Sequence, residues 1–155
     1  MDKRLKNKTL PPDLLDLFYQ VLILCESDAI NTIKLRITDP RLKEFLNDKY
    51  KKREKGKVVL TYNAKSRKNG INNIEFNTPI EINEIRFTNT KNNVIKSLLW
   101  HLRHAFAHNR LYYDNAHKFI NVENVYNGVT KMKAKVRAAD LKKLVKFLIT
   151  IENNN

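Results

Sequence analysis

The sequence predicts a mostly α-helical domain that ends in a β-hairpin followed by a final helix. Three segments carry apolar residues at the spacing of an amphipathic helix, and each begins at a proline or capping signal. Between the second and third segments, an Asn-Gly dipeptide separates two stretches of alternating residues, which is typical of a hairpin. The 155 residues have the length of one ordinary domain, and 42% of them are hydrophobic, so we expect residues 1–155 to form a single domain.

The first predicted helix follows a basic, polar stretch, residues 1–10, that we expect to be flexible. Pro11, Pro12 and Asp13 form a helix-start signal, because proline is favoured in the first turn of a helix. The apolar residues that follow would bury most of the helix surface: Leu14, Leu15, Leu17, Phe18, Val21, Leu22, Leu24 and Cys25. We therefore interpret Cys25, the only cysteine, as a buried small hydrophobe that forms no disulfide within the chain.

Two shorter helical stretches are predicted next. Ser27 and Asp28 would cap a stretch that runs through Leu35, and Asp39-Pro40 would start another. The second stretch would place four apolar residues on one side: Leu42, Phe45, Leu46 and Tyr50.

The middle of the chain gives weaker patterns. Residues 49–57 are strongly basic and indicate a solvated helix end, whereas residues 58–62 indicate a short strand. Residues 65–73 are predicted to form a polar loop with a turn at Asn69-Gly70. The apolar residues between positions 80 and 85 are irregularly spaced, and we assign no element to them.

The second long helix contains an unusual cluster of side chains. Residues 96–110 read KSLLWHLRHAFAHNR and hold three of the four histidines and the only tryptophan. The segment from Thr88 to Thr90 offers N-cap side chains. The predicted apolar stripe is Ile95, Leu98, Leu99, Leu102 and Phe106. At about 100° per residue, the opposite side carries Trp100, His101, His104 and His108. An exposed tryptophan usually contacts a partner, so we expect this second face to meet another surface.

The hairpin is predicted from residues 118–122 and 130–136 around Asn127-Gly128. Its second strand would place Lys131, Lys133 and Lys135 on one face. That row would either follow phosphates or keep an exposed strand soluble. A last helix begins at or just before Asp140, with an inner side formed by Leu141, Leu144, Val145, Leu148 and Ile151.

Charge and composition narrow the classes of function. The formal net charge is +14, which favours a polyanionic partner, and nucleic acid is the first candidate. A codon-composition bias toward Lys, Asn and Ile is the competing explanation. No apolar run reaches the roughly 18–20 residues that cross a bilayer, and we expect a cytoplasmic protein. With three glycines the chain contains no Gly-rich phosphate loop, and it has no nucleophile-elbow sequence.

Arg103, His104 and His108 give the chain a family resemblance. Near the end of an apolar helix, an arginine is followed by a polar residue, three further positions and a histidine. This pattern resembles the R-x4–6-H motif of the HEPN superfamily. The hairpin and final helix that follow are similar to a small plasmid- and phage-associated branch of it, so the resemblance covers about residues 89–151. Arg110 and His117 have a matching spacing, but apolar Leu111 follows Arg110, and we therefore prefer the first set.

The resemblance implies a HEPN-like helical bundle and metal-independent RNA cleavage by attack of a ribose 2′-OH, without a cofactor. His108 would move protons, since histidine titrates near neutral pH. Arg103 would stabilise the charge on the phosphate, and His104 would orient Arg103 or bind phosphate. Arg110 and the three lysines of the hairpin would bind the rest of the RNA.

The resemblance also implies a homodimer that pairs two motifs, with Trp100 and His101 at its interface. It suggests a toxin or antiphage defence role, with an antitoxin or activator protein as a further partner. Toxins of this superfamily that a nucleotidyltransferase silences carry a tyrosine two positions after the motif histidine. Arg110 occupies that position, so this mode of regulation is not implied.

Two alternatives stay open. His101, His104 and His108 share a stripe at i, i+3 and i+7 and could bind zinc, although the cluster contains no acidic residue and no cysteine. The chain could instead be a non-catalytic HEPN module that binds RNA or a protein, which the charge and the exposed aromatic residue also support.

Overall fold

A computed structural model describes residues 10–63, 74–91 and 93–151, and it combines helices with a five-stranded mixed sheet. The described residues form three α-helices: α1 (Pro12–Glu26), α2 (Val94–Ala107) and α3 (Ala138–Thr150). Two 3₁₀ helices, Asp28–Thr32 and Pro40–Glu44, follow α1. The prediction of a mostly α-helical bundle is therefore wrong, because a sheet forms a full layer of the fold.

The sheet has the order β1-β2-β5-β4-β3. Its strands are β1 (Val59–Tyr62), β2 (Glu84–Phe87), β3 (Leu111–Asp114), β4 (Phe119–Tyr126) and β5 (Val129–Arg137). β1 and β2 pair in parallel, and the remaining neighbours are antiparallel. The predicted hairpin is confirmed as β4 and β5. Asn127 and Gly128 have φ angles of 51° and 75°, the left-handed conformations that a tight two-residue hairpin turn requires.

The sequence reading missed β2 and β3, four-residue strands that contain charged residues, whereas it found the equally short but uncharged β1. Such short segments become strands by pairing with longer ones: Phe87 lies opposite Met132 of β5, and Leu111 lies opposite Val122 of β4. β2 is also buried on both faces, although it contains Glu84 and Arg86. Charged residues in a buried strand hide the alternation that sequence reading depends on.

Arg86 and Glu84 form a buried ion pair on the second face of the sheet. The Arg86 guanidinium donates to the Glu84 carboxylate at 2.9 and 3.1 Å. It also donates to the backbone carbonyls of Glu75, Thr78 and Pro79. These bonds hold the segment that precedes β2 against the strand. The ion pair and the carbonyl contacts together give both buried charges partners where water is excluded.

α2 and α3 agree with their predicted apolar faces, whereas the prediction that α1 buries most of its surface is wrong, since Leu15 is 38% exposed. α1 starts at Pro12, and Cys25 near its end is 4% exposed, which confirms that the cysteine is buried. The N-cap of α2 is Asn93, whose side chain accepts the Lys96 N–H at 3.0 Å, so the predicted cap between Thr88 and Thr90 is wrong. The last helix begins at Ala138, as expected.

Two predictions in the N-terminal half need correction. The stretch that begins at Pro40 ends at Glu44 as a 3₁₀ helix, and Tyr50 is 89% exposed instead of sharing an apolar side. The basic residues 49–57 form turns and irregular backbone, not a helix end. Residues 1–10 were expected to be flexible, and of these only residue 10 is among the described residues. The predicted turn at Asn69-Gly70 also lies outside the described residues.

One core joins the helices to the sheet. α2 packs on β4, α3 packs on β4 and β5, and α1 packs on both other helices. Alternate residues of the hairpin point into this core, among them Ile120, Val122, Met132 and Val136. The C-terminal half of α2 thereby lies beside the turn end of the hairpin. No helix in the described part of the chain has the length and apolar character needed to cross a membrane.

Candidate functional site

The end of α2 fixes the position of the last motif histidine. Arg110 donates its backbone N–H to Ala105 at 2.7 Å, and Asn109 donates to Phe106 at 3.2 Å. This pair of bonds is a Schellman motif, which requires a left-handed residue after the C-cap. Asn109, with φ 57°, supplies that conformation. His108 is the C-cap and its side chain is exposed, whereas the chain at Arg110 turns back toward β4.

His104 is held as a neutral ring. Arg103 Nη1 lies 3.3 Å from His104 Nδ1, and because a guanidinium only donates, Nδ1 must be the acceptor. The ring proton is therefore on Nε2. Burial lowers the pKa of His104, and the adjacent Arg103 charge lowers it further. Its ring lies nearly parallel to that of His108, with 6.2 Å between centroids, and stacks on Trp100 from the other side at 5.7 Å.

Arg103 lies on the side of α2 that faces α1. Its Nη2 forms an ion pair with Glu26 at the end of α1. Its Nε is buried and has no hydrogen-bond partner among the described residues. The guanidinium carbon lies 5.9 Å from the centroid of the Trp100 ring. Arg103 is thus fixed by its neighbours and reaches the other motif residues through His104.

A cavity of about 510 Å³ lies between the end of α2 and the turn end of the hairpin. Its lining includes His101, His104, His108, Arg110 and Lys131. Arg103 is not part of the lining. The cavity therefore brings together three histidines and two cations that the sequence reading proposed, and none of the described residues that line it is acidic.

The predicted row of three lysines is split. The register of β4 and β5 shifts between Asn124 and Val125 and leaves Lys131 without a partner opposite it, and Lys131 lines the cavity. Lys133 donates to the Phe76 carbonyl at 3.3 Å, and Lys135 lies over the Phe119 ring at 5.3 Å. These contacts place Lys133 and Lys135 on the opposite face of the sheet, away from the motif.

His101 and Trp100 differ in their surroundings. His101 is 6% exposed, and because a carbonyl only accepts, its Nε2–H donates to Thr88 at 2.6 Å. The expected exposure of His101 is wrong, since the sheet covers that side of α2. Trp100 is half-buried, and the Lys91 ammonium lies 4.9 Å from its ring centroid.

The described residues contain no group of three or more His, Cys, Asp or Glu side chains arranged to hold a metal ion. The competing spacing pair is separated in space: Arg110 lines the cavity, whereas His117 is exposed on the β3–β4 turn. There its Nδ1 lies 2.8 Å from Asp114 Oδ2. The sequence reading did not identify Glu26 and Asn124. Neither has a local signal, because each reaches the site from an element distant in the chain.

Comparison with known proteins gives one family. The family described as HEPN pEK499 p136 matches residues 14–155, which extends the resemblance seen around the motif into the N-terminal half. No curated protein and no solved structure matches the chain.

Proposed function

The chain belongs to the HEPN pEK499 p136 family, and we propose that its HEPN-type module is an endoribonuclease that works without a metal ion. The observation that carries this proposal is the pairing of His104 and His108, in nearly parallel rings, inside a cavity that also holds Arg110 and Lys131. Imidazoles can move protons near neutral pH, and fixed cations stabilise the negative charge of a phosphorane.

The proposed reaction is an internal transfer of the phosphate. The ribose 2′-OH attacks the adjacent phosphorus, and His108, exposed at the helix end, accepts the hydroxyl proton. The bond to the 5′-oxygen breaks, and that oxygen takes up a proton from water to leave a 5′-OH and a 2′,3′-cyclic phosphate. Arg110 and Lys131 balance the developing charge from the cavity wall.

Arg103 acts in this proposal as a positioning residue. Its bond to His104 Nδ1 fixes the tautomer with the proton on Nε2, so that Nε2–H can donate to a phosphate oxygen. Glu26 in turn holds the guanidinium from α1. The three motif residues thus form a chain from the helix interface to the cavity.

A homodimer is part of the proposal. α1 carries an exposed apolar stripe at i, i+4 and i+8, in which Leu15 is 38%, Tyr19 50% and Ile23 67% exposed. The stripe runs toward the Glu26–Arg103 ion pair and contacts α2 through Tyr19, whose ring packs edge-on against Phe106 at 5.1 Å. Isologous packing on this stripe would bring two motifs together, with Trp100 near the edge of the contact.

The biological setting follows from the same proposal. An RNA-cleaving HEPN module suits a toxin or antiphage defence role in the cytoplasm, with an antitoxin or activator protein that controls it. RNA is the proposed substrate, in keeping with the formal net charge of +14.

Cleavage of a labelled single-stranded RNA in excess EDTA tests the activity. The wild type should cleave, and His108→Ala should lower the rate about 100-fold or more, the usual contribution of one acid–base group. Arg103→Ala should also lower the rate, because His104 loses its fixed tautomer. His117→Ala is the matched control and should keep the wild-type rate, since His117 lies outside the cavity.

Two results would contradict a nuclease that works without a metal ion. Cleavage that stops in EDTA would show that the reaction needs a metal ion. A wild type that does not cleave, but binds RNA in a salt-sensitive way that survives both motif substitutions, would favour the non-catalytic binding module.

A further inference from the structure

Asn124 presents its side-chain amide to the cavity beside the motif. The residue is 5% exposed in β4 and lines the same cavity as His104 and His108. Its side-chain amide is not among the fully buried, unpaired polar atoms of the described residues, so it reaches the cavity, whereas its neighbours in the core of the hairpin are apolar. A polar side chain at such a position normally has hydrogen-bond partners. The amide can therefore form hydrogen bonds with a ligand in the cavity.

The rest of the cavity wall has the chemistry of a nucleotide site. Tyr126, 67% exposed, offers an aromatic ring at the hairpin end, and bases stack well on such rings. Arg110 and Lys131 supply positive charge for phosphate. The volume of about 510 Å³ lies within the ordinary range of small-molecule sites. An amide for hydrogen bonds, a ring for stacking and cations for phosphate match the three parts of one nucleotide.

The hairpin is shaped toward this cavity. The register shift falls between Asn124 and Val125, directly beside this amide, and it removes Lys131 from the row on the far face of the sheet. Bulges of this kind re-aim side chains next to functional sites. Lys131 therefore lines the cavity because of this local feature, whereas Asn124 shares the inward face of β4 with Ile120 and Val122 by ordinary alternation.

We propose that this cavity binds one nucleobase of the RNA strand next to the scissile phosphate, and that Asn124 reads the hydrogen-bonding edge of that base. This inference rests on the proposed nuclease function and gives it a base preference. An amide offers one donor group and one acceptor, so it can pair with a base edge through two hydrogen bonds and discriminate between bases.

The four nucleoside 3′-monophosphates, with inorganic phosphate as the reference, are the probes. Their dissociation constants are measured by NMR titration of the full chain. One of the four nucleotides should bind about tenfold or more tightly than the others, since one good bidentate contact discriminates between bases by about that factor. Asn124→Ala should reduce this preference about tenfold. Asn121→Ala is the control, because Asn121 lies on the same strand but on the opposite face.

A second variant separates loss of recognition from loss of folding. Asn124→Leu replaces the amide with an apolar group of similar size, and its melting temperature should equal or exceed that of the wild type. The nucleotide preference should nevertheless be lost. A preference that survives in Asn124→Leu would overturn the proposal, and so would four nucleotides that bind no better than phosphate.

The outcome is independent of the nuclease test. The mononucleotides contain no scissile bond between nucleotides, so their binding is measured whether or not the chain cleaves RNA. Cleavage with no nucleotide preference would refute the base site alone. A nucleotide preference that depends on Asn124, in a chain that does not cleave, would retain the base site and refute the nuclease.

Discussion

At the scale of single residues, the motif region depends on two histidines whose rings are each oriented by one hydrogen bond. Arg103 fixes His104 through Nδ1, and the Thr88 carbonyl fixes His101 through Nε2. Burial is the largest cause that lowers the pKa of each ring. Cys25 shows the same effect in the opposite direction, because burial raises the pKa of its thiol to about 11. Partial or nearly complete removal from water thus favours the uncharged form of each of these groups.

The buried His101 predicts a pH dependence of stability. Its folded pKa lies below the ordinary value of 6.5, so the unfolded chain binds more protons in the interval between the two values. The free energy of unfolding should therefore fall as pH is lowered through 6.5. His101→Gln keeps a donor for Thr88 but does not titrate, and it should lose less stability between pH 7.5 and 5.5, measured by urea unfolding. Equal losses in both proteins would show that His101 contributes nothing to the dependence.

At the scale of elements, the site is built where α2 ends. The Schellman motif sets both the exposed position of His108 and the turn that brings Arg110 to the cavity. A helix that continued by one more turn would carry Arg110 away from β4. The asparagine at position 109 is therefore as important to the geometry as the motif residues themselves.

Substitution of Asn109 tests this element. Asn109→Ala forces a residue with a Cβ and no compensating side chain into a left-handed conformation, which should lower the free energy of unfolding by about 1 kcal/mol. Asn109→Gly should be neutral or slightly stabilising, because glycine adopts that conformation without strain. Urea unfolding of the three proteins gives the comparison. If both variants lost the same stability, the backbone conformation would not be the reason.

At the scale of the whole molecule, the two faces of the sheet differ. One face carries the helices and the motif, and part of the other is covered by the segment that Arg86 holds. The exposed apolar stripe lies on α1, on the helical side of the molecule. The proposed dimer would therefore form among helices and leave the cavity beside the hairpin to the substrate.

Ile23 provides the test of the dimer. Ile23→Glu replaces the most exposed residue of the stripe with a charge, and it should raise the dimer dissociation constant at least about tenfold, since burying one such side chain is worth about 1.5–3 kcal/mol. Sedimentation at several concentrations measures the change. Ile82→Glu is the control, because Ile82 is 46% exposed at a site before β2. A wild type that is monomeric at micromolar concentration and still cleaves RNA would remove the dimer from the proposal.

Local patterns in the sequence were enough to predict several elements. Helical spacing located α1, α2 and α3, and Asn127-Gly128 located the hairpin, because these features depend on residues close together in the chain. The burial of Cys25 and the position of the motif on α2 followed from the same spacing. The resemblance around Arg103 led to the family that the comparison then showed.

Tertiary structure alone decided how β2 and β3 complete the sheet and which residues meet at the site. β2 and β3 have four residues each and are strands because they pair with β5 and β4. Arg103 pairs with Glu26, which lies 77 positions earlier in the chain. A register shift between β4 and β5 turns Lys131 toward the histidines. Sequence periodicity reports which face of an element is apolar, because that depends on neighbouring residues. It does not report which distant element covers that face, because long-range packing makes that choice.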